Sequence, residues 1–163
     1  MIHIPDMRNL VTTVLKGLGE KYAHQDAVML VLRTGAAESG YFNQRQIGGG
    51  PGRGLWQIEP NTAKDILGRY LLRPSKSDLR EAAERLLGSN IEIYDRPYLL
   101  DLHLQGNQIL GIILCRLKYW PVKEPLPHSR YMDMQAQYWL TFYNAGGKGS
   151  IEHFLHAAGK AKL

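Results

Sequence analysis

The segment from Ala36 to Pro60 reads AAESGYFNQRQIGGGPGRGLWQIEP. Its one early carboxyl, Glu38, closes the apolar run AVMLVLRTGAAE and is followed by a glycine-rich turn, an aromatic and an amide. A carboxyl buried among apolar side chains holds its proton to higher pH, because low dielectric disfavours the anion. That is what a glycosidic oxygen, a poor leaving group, needs from a general acid. Glycine lets backbone amides approach a sugar closely, Trp56 offers a flat apolar face, and Gln57 is both donor and acceptor for an acetamido group. The combination suits an amino sugar.

These residues need a scaffold, and its periodicities are helical. From Asp6 to Leu18, Met7, Leu10, Val11, Val14, Leu15 and Leu18 recur at helical spacing behind Asp6 as N-cap, with Gly19 as the stop. A second helix runs from Asp26 through Ser39, apolar at nearly every position and therefore deep in the core. Glu38 falls at its exit. GGGPGRG, Gly48 to Gly54, cannot continue a helix and is a loop. Asn61 caps TAKDILGRYLL, and Gly88 ends SDLREAAERLLG. QILGIILCRLKYW stops at Pro121, PVKEPLPHS is an extended connection, YMDMQAQYWLTFYN is helical, and the last helix runs from Ser150 to near Gly159. GLWQIEP and IEIY are the two short extended pieces.

The expected fold class is mainly α, one domain over residues 1–163 with at most a short β-hairpin. With 163 residues the chain can bury a core without disulfides or metals, and 44% hydrophobic against 21% charged residues excludes a disordered composition. The single Cys115, in GIILCRLKYW, excludes an internal disulfide and reads as a core thiol. The net charge of +5 favours a polyanion such as nucleic acid, anionic lipid or an acidic wall polymer. MIHIPDMRNL lacks the basic and apolar regions of a signal peptide, and no stretch is apolar for long enough to span a membrane.

Glu38-Ser39, then GLWQI at Gly54 to Ile58, then YNAG at Tyr143 to Gly146, resemble in order the motifs of lytic transglycosylases and goose-type lysozymes. The resemblance spans Ala27 to Gly147 and implies a lysozyme-like domain. It also implies cleavage of the β-1,4 bond between N-acetylmuramic acid and N-acetylglucosamine in peptidoglycan glycan strands. By the resemblance Glu38 is acid and then base, and Tyr143 hydrogen-bonds Glu38 or stabilises developing charge. Ser39 contacts substrate or orients the acid, and Asn144 holds the sugar. No cofactor is implied. The single-acid families close a 1,6-anhydro ring with substrate assistance, and this product is the expectation here. Two positions depart from the family pattern: Trp56 stands where methionine is usual, and GKGS follows YNAG where a proline is common. A domain of this kind without an export signal resembles bacteriophage wall-degrading proteins. These are either virion-borne or released in the host cytoplasm at lysis, act on the periplasmic wall, and work beside other virion or lysis proteins.

Each motif residue has a duller reading beside it. Trp56 divides evenly between core packing and sugar platform, Gln57 could tether backbone, and Tyr143 sits at helical spacing from Trp139 and Leu140. Glu59, Asp95 and Asp101 are candidates for the second carboxylate that most glycosidases use, and each reads first as a surface or capping group. His153 and His156 lack a third ligand or HExxH pattern, so no metal is expected. Arg69, Arg73, Lys76, Arg80 and Arg85 suggest a basic face, yet no nucleic-acid motif accompanies them and GGGPGRG lacks the P-loop ending. Two competing functions stand beside the enzyme: a non-catalytic structural or wall-binding module of a virion or secretion apparatus, and a chitinase-type hydrolase.

Overall fold

A computed structural model describes residues 3–163. The chain is mainly α, with eight α-helices among the described residues and no sheet. They are α1 (Ile4–Leu18), α2 (Gln25–Ser39), α3 (Pro60–Asp65), α4 (Ser77–Leu87), α5 (Pro97–Gly106), α6 (Gln108–Tyr119), α7 (Met132–Phe142) and α8 (Ile151–Lys160). Among the described residues no helix is long and apolar enough to cross a membrane.

Two helices form the centre because they are apolar on every side. Along α2, Ala27 to Ala37 are all buried, and along α6 Leu110 to Leu117 are all buried, Cys115 included. The amphipathic α1 lays Met7, Val11, Val14, Leu15 and Leu18 on this core, packed on both central helices. On the other side α2 packs against α7 and α8. The last turn of α2 is thus walled by helices from the end of the sequence, which is what places Glu38 opposite YNAG.

Several boundaries differ from the sequence expectations. Asp6 is not the N-cap of α1: the helix opens at Ile4 with Pro5 in its first turn, and Asp6 follows inside that turn, where its charge suits the helix dipole. Asn61 is likewise inside α3, because Pro60 with its fixed φ is the first helical residue. IEIY is not extended. Ile91–Asp95 is a 3-10 helix whose cap, Asn90, accepts from the Glu92 N–H at 2.9 Å, and its three-residue turn puts Ile91 and Tyr94 together in the core. By contrast, Gly88 ends α4 at φ 68° and Ser150 caps α8 by accepting from the His153 N–H at 3.1 Å.

GLWQIEP folds as the smallest version of the expected hairpin. Arg53 and Ile58 exchange backbone hydrogen bonds of 3.0 and 2.9 Å around a tight turn, and Arg53 also bridges Arg45. Gly54 at φ 71° makes the turn, and any side chain there would collide with the Leu104 carbonyl. Between Tyr119 and α7 the proline-bearing connection is extended and tied down. The Asp26 carboxylate accepts from the Ser129 N–H at 2.6 Å, and Arg33 donates to the Ser129 carbonyl at 2.7 Å.

Candidate active site

Glu38 sits in the last turn of α2, half-buried at the floor of an open cleft of about 750 Å³. Three walls meet there: the loop from Asn43 to Gly50, the turn from Tyr143 to Gly149, and the start of α8 at His153. Gly40, left-handed at φ 60°, ends α2 immediately after Ser39 and throws the chain into the loop wall. Ile47, at the tip of that wall, is 84% exposed.

The Glu38 carboxyl is held by groups from α7 and the turn that follows it. The Trp139 indole N–H donates to Glu38 Oε1 at 2.8 Å, and the Asn144 amide approaches the same oxygen at 3.5 Å. The Trp139 carbonyl accepts from both the Tyr143 and Asn144 N–H groups, at 2.8 and 2.9 Å, so the turn starts with α7 as its base. Asn144 Oδ1 accepts in turn from the Gly149 N–H at 3.2 Å. Burial raises the pKa of Glu38 above its ordinary value; the Trp139 and Asn144 hydrogen bonds and the charge of Lys118 pull it back in part. The carboxyl therefore keeps its proton to higher pH than a solvated glutamate while its oxygen remains at the cleft.

The remaining motif residues are placed differently from the sequence expectations. Tyr143 does not hydrogen-bond Glu38: its hydroxyl donates to the Trp56 carbonyl at 2.7 Å, and the residue is 5% exposed. The correction has a geometric cause, since Trp139 lies one helical turn earlier and occupies the position facing the carboxyl. Trp56 is 1% exposed, packed against Gly111 of α6 with its indole N–H on the Val31 carbonyl at 2.9 Å, so it offers no face to a sugar. A buried indole satisfies its N–H inside the core. Ser39 is equally internal, donating to the Leu55 carbonyl at 2.7 Å and accepting from the Tyr41 N–H at 3.1 Å; it joins α2 to GLWQI and does not reach the cleft. Gln57 does line the cleft, at φ 49°, and its amide N–H group ties the Gly54 carbonyl at 2.8 Å and that of Asn43 at 3.3 Å.

Of the three other carboxylates, Glu59 lines the cleft, while Asp95 lies beside Tyr94 at a separate small hollow. Asp101 of α5 supports the cleft wall from behind. Its Oδ1 accepts from Arg53 Nε at 2.7 Å, its Oδ2 accepts from Gln105 Nε2 at 2.7 Å, and Arg45 Nη2 lies 3.6 Å away. Arg53 then donates to the Gly50 and Gly52 carbonyls, so one carboxylate holds the glycine loop in place. The pair is partly exposed and contributes little to global stability, on the order of 1 kcal/mol or less. Asp101→Asn is expected to speed amide hydrogen exchange across residues 48–54 with a nearly unchanged melting temperature. A lowered melting temperature with unchanged exchange in that loop would mean that the tie serves folding alone.

Sequence reasoning missed Trp139, Lys118 and the part played by His153. Lys118 projects from α6 and donates to the Tyr143 carbonyl at 2.8 Å; His153 Nε2 lies 2.7 Å from the Ala37 carbonyl and its ring faces Trp139. His156, its expected twin, lies on the exposed side of α8, and among the described residues no group of three or more His, Cys, Asp or Glu could hold a metal. A signal for Trp139 exists in its spacing of one turn from Tyr143, which puts it on the side of α7 that leads into YNAG. The basic stretch lies elsewhere: Arg69 pairs with Asp65 at 3.2 Å, and Arg73 and Lys76 lie over the Tyr70 ring. No family model matches the chain, and no curated protein or solved structure matches it.

Proposed function

We propose that the protein cleaves the β-1,4 bond between N-acetylmuramic acid and N-acetylglucosamine in peptidoglycan, with Glu38 as its acid and base. The observation that carries this reading is the half-buried Glu38 carboxyl, hydrogen-bonded by Trp139 at 2.8 Å and open to a cleft of about 750 Å³, where burial holds its proton to higher pH. Its proton passes to the glycosidic oxygen as the C1–O bond breaks, and the N-acetylglucosamine side leaves as an alcohol. Glu38, now an anion, takes the proton of the attacking hydroxyl and is regenerated. When that hydroxyl is C6–OH of the same muramic residue, C1 is captured in a 1,6-anhydro ring and no water is consumed. The substrate's acetamido group assists by stabilising C1 as the leaving group departs.

Glu59 on the same cleft favours a second form of the reaction, in which a second carboxylate steers water to C1 and the product is a reducing sugar. Mass analysis of sacculi digested by the wild-type protein tests both at once. Products one water lighter than the reducing muropeptides support the anhydro-forming lyase; reducing ends alone support hydrolysis with Glu59. Released peptides with intact glycan, or no release, overturn the proposed cleavage. A setting in bacteriophage wall degradation is part of the same proposal and rests on the motif resemblance.

A further inference from the structure

Lys118 is a cation in an unusual place. It is carried by α6, whose other residues from Leu110 to Leu117 are buried, and it reaches past them to the cleft that holds Glu38. Its Nζ donates to the Tyr143 carbonyl at 2.8 Å and lies 3.8 Å from the centre of the Tyr143 ring. Both contacts fasten the first residue of YNAG, and cations at the C-terminal end of a helix such as α7 are favourable. The next residue, Asn144, approaches the Glu38 carboxyl, and the preceding turn supplies the Trp139 N–H.

We propose that Lys118 is the positioning residue for Glu38: it locks the turn bearing Asn144 against the carboxyl, and its charge offsets the negative charge Glu38 acquires on giving up its proton. The inference rests on the glycan-cleaving reading for its catalytic consequence, though not for its electrostatic one. The titratable and charged groups around the pair come from every neighbouring element: Glu38 on α2, Arg45 on the loop wall, Glu59 before α3, Cys115 on α6, Tyr143 and Lys148 on the turn after α7, and His153 on α8. Burial lowers the pKa of Lys118, while the nearby Glu38 and Glu59 draw it up again; Cys115 and Tyr143 are held neutral by burial. The carboxyl groups on the cleft with Lys118 are therefore those of Glu38 and Glu59, and Glu38 is the one that changes charge in the reaction.

The two effects separate by substitution. Lys118→Arg keeps the charge, Lys118→Gln keeps a donor for the Tyr143 carbonyl without charge, and Lys118→Met keeps neither. With glutamate carboxyl carbons labelled, the Glu38 titration midpoint is read by NMR without any substrate, and kcat and KM on sacculi are measured across pH. The midpoint is expected to move upward in Lys118→Gln and Lys118→Met and to stay in Lys118→Arg. The alkaline limb of kcat/KM should follow it, with kcat in Lys118→Met down about tenfold and KM changed less than about twofold. A midpoint unmoved in Lys118→Gln, with the protein folded, overturns the proposal and leaves Lys118 a structural tie. A wild type that cleaves no glycan defeats the proposed function, while the midpoints still decide what Lys118 does.

Discussion

Glu38→Gln is expected to lower turnover on sacculi by about 10²–10⁴-fold, the contribution of a positioned acid and base, while binding to sacculi is kept. Glutamine preserves the acceptor for the Trp139 N–H, so the cleft keeps its shape and only the transferable proton is lost. The same substitution carries an opposite expectation for stability. Because the folded-state pKa of Glu38 is raised, its contribution to stability is fully present below the ordinary glutamate value, about 4.3. That contribution is lost as pH rises through the folded-state value, since the unfolded chain ionises first. The variant lacks this loss and should melt higher than wild type at the neutral end of the range, with the two converging in acid. Zymograms and calorimetry on the two proteins read both effects. Equal clearing would remove Glu38 from the chemistry, and equal pH dependence of melting would remove the shielding on which its role depends.

Trp56→Ala should cost about 3–5 kcal/mol of folding free energy, a fall of roughly 10 °C in melting temperature for a chain of this size. The indole fills the space that Gly111 leaves on α6, and its N–H satisfies the Val31 carbonyl inside α2. Its own carbonyl receives the Tyr143 hydroxyl, so the residue joins α2, α6 and the end of α7. Removing it opens a cavity and deletes the buried indole hydrogen bond, two destabilising effects in one place. Thermal unfolding measures the loss, and KM measured well below the transition should be little changed. A variant of nearly normal stability with a strongly raised KM would instead put the indole face against sugar.

The helical scaffold was legible because its signals are local. The unbroken apolar run of α2, the stripe of α1, Gly88 after α4 and Ser150 before α8 each act within a few residues. Errors arose where two local signals competed. Pro5 and Pro60 start their helices ahead of the polar residues chosen as caps, and Asn90 turns IEIY into a 3-10 helix despite its β-branched content. Within the site, Glu38, Gln57 and Asn144 were found from motif order, and they do share the cleft. What could not be read was which aromatic group faces the carboxyl. Trp139 and Tyr143, the residue that caps α7, are one helical turn apart, and only packing across 101 and 87 residues of sequence separation decides that the indole reaches Glu38 and the hydroxyl reaches Trp56. Lys118 was hidden for a related reason, since a lysine after an apolar run ordinarily turns to water.

In the proposed reaction Glu38 holds its proton into the pH range where the glycan is cut. Titration of the labelled Glu38 carboxyl in the wild-type protein, set beside the alkaline limb of kcat/KM on sacculi, tests it most directly. The predicted result is a midpoint above that of solvated glutamates, coinciding with the limb. A midpoint in the ordinary glutamate range, or a limb that falls without regard to it, would contradict the claim.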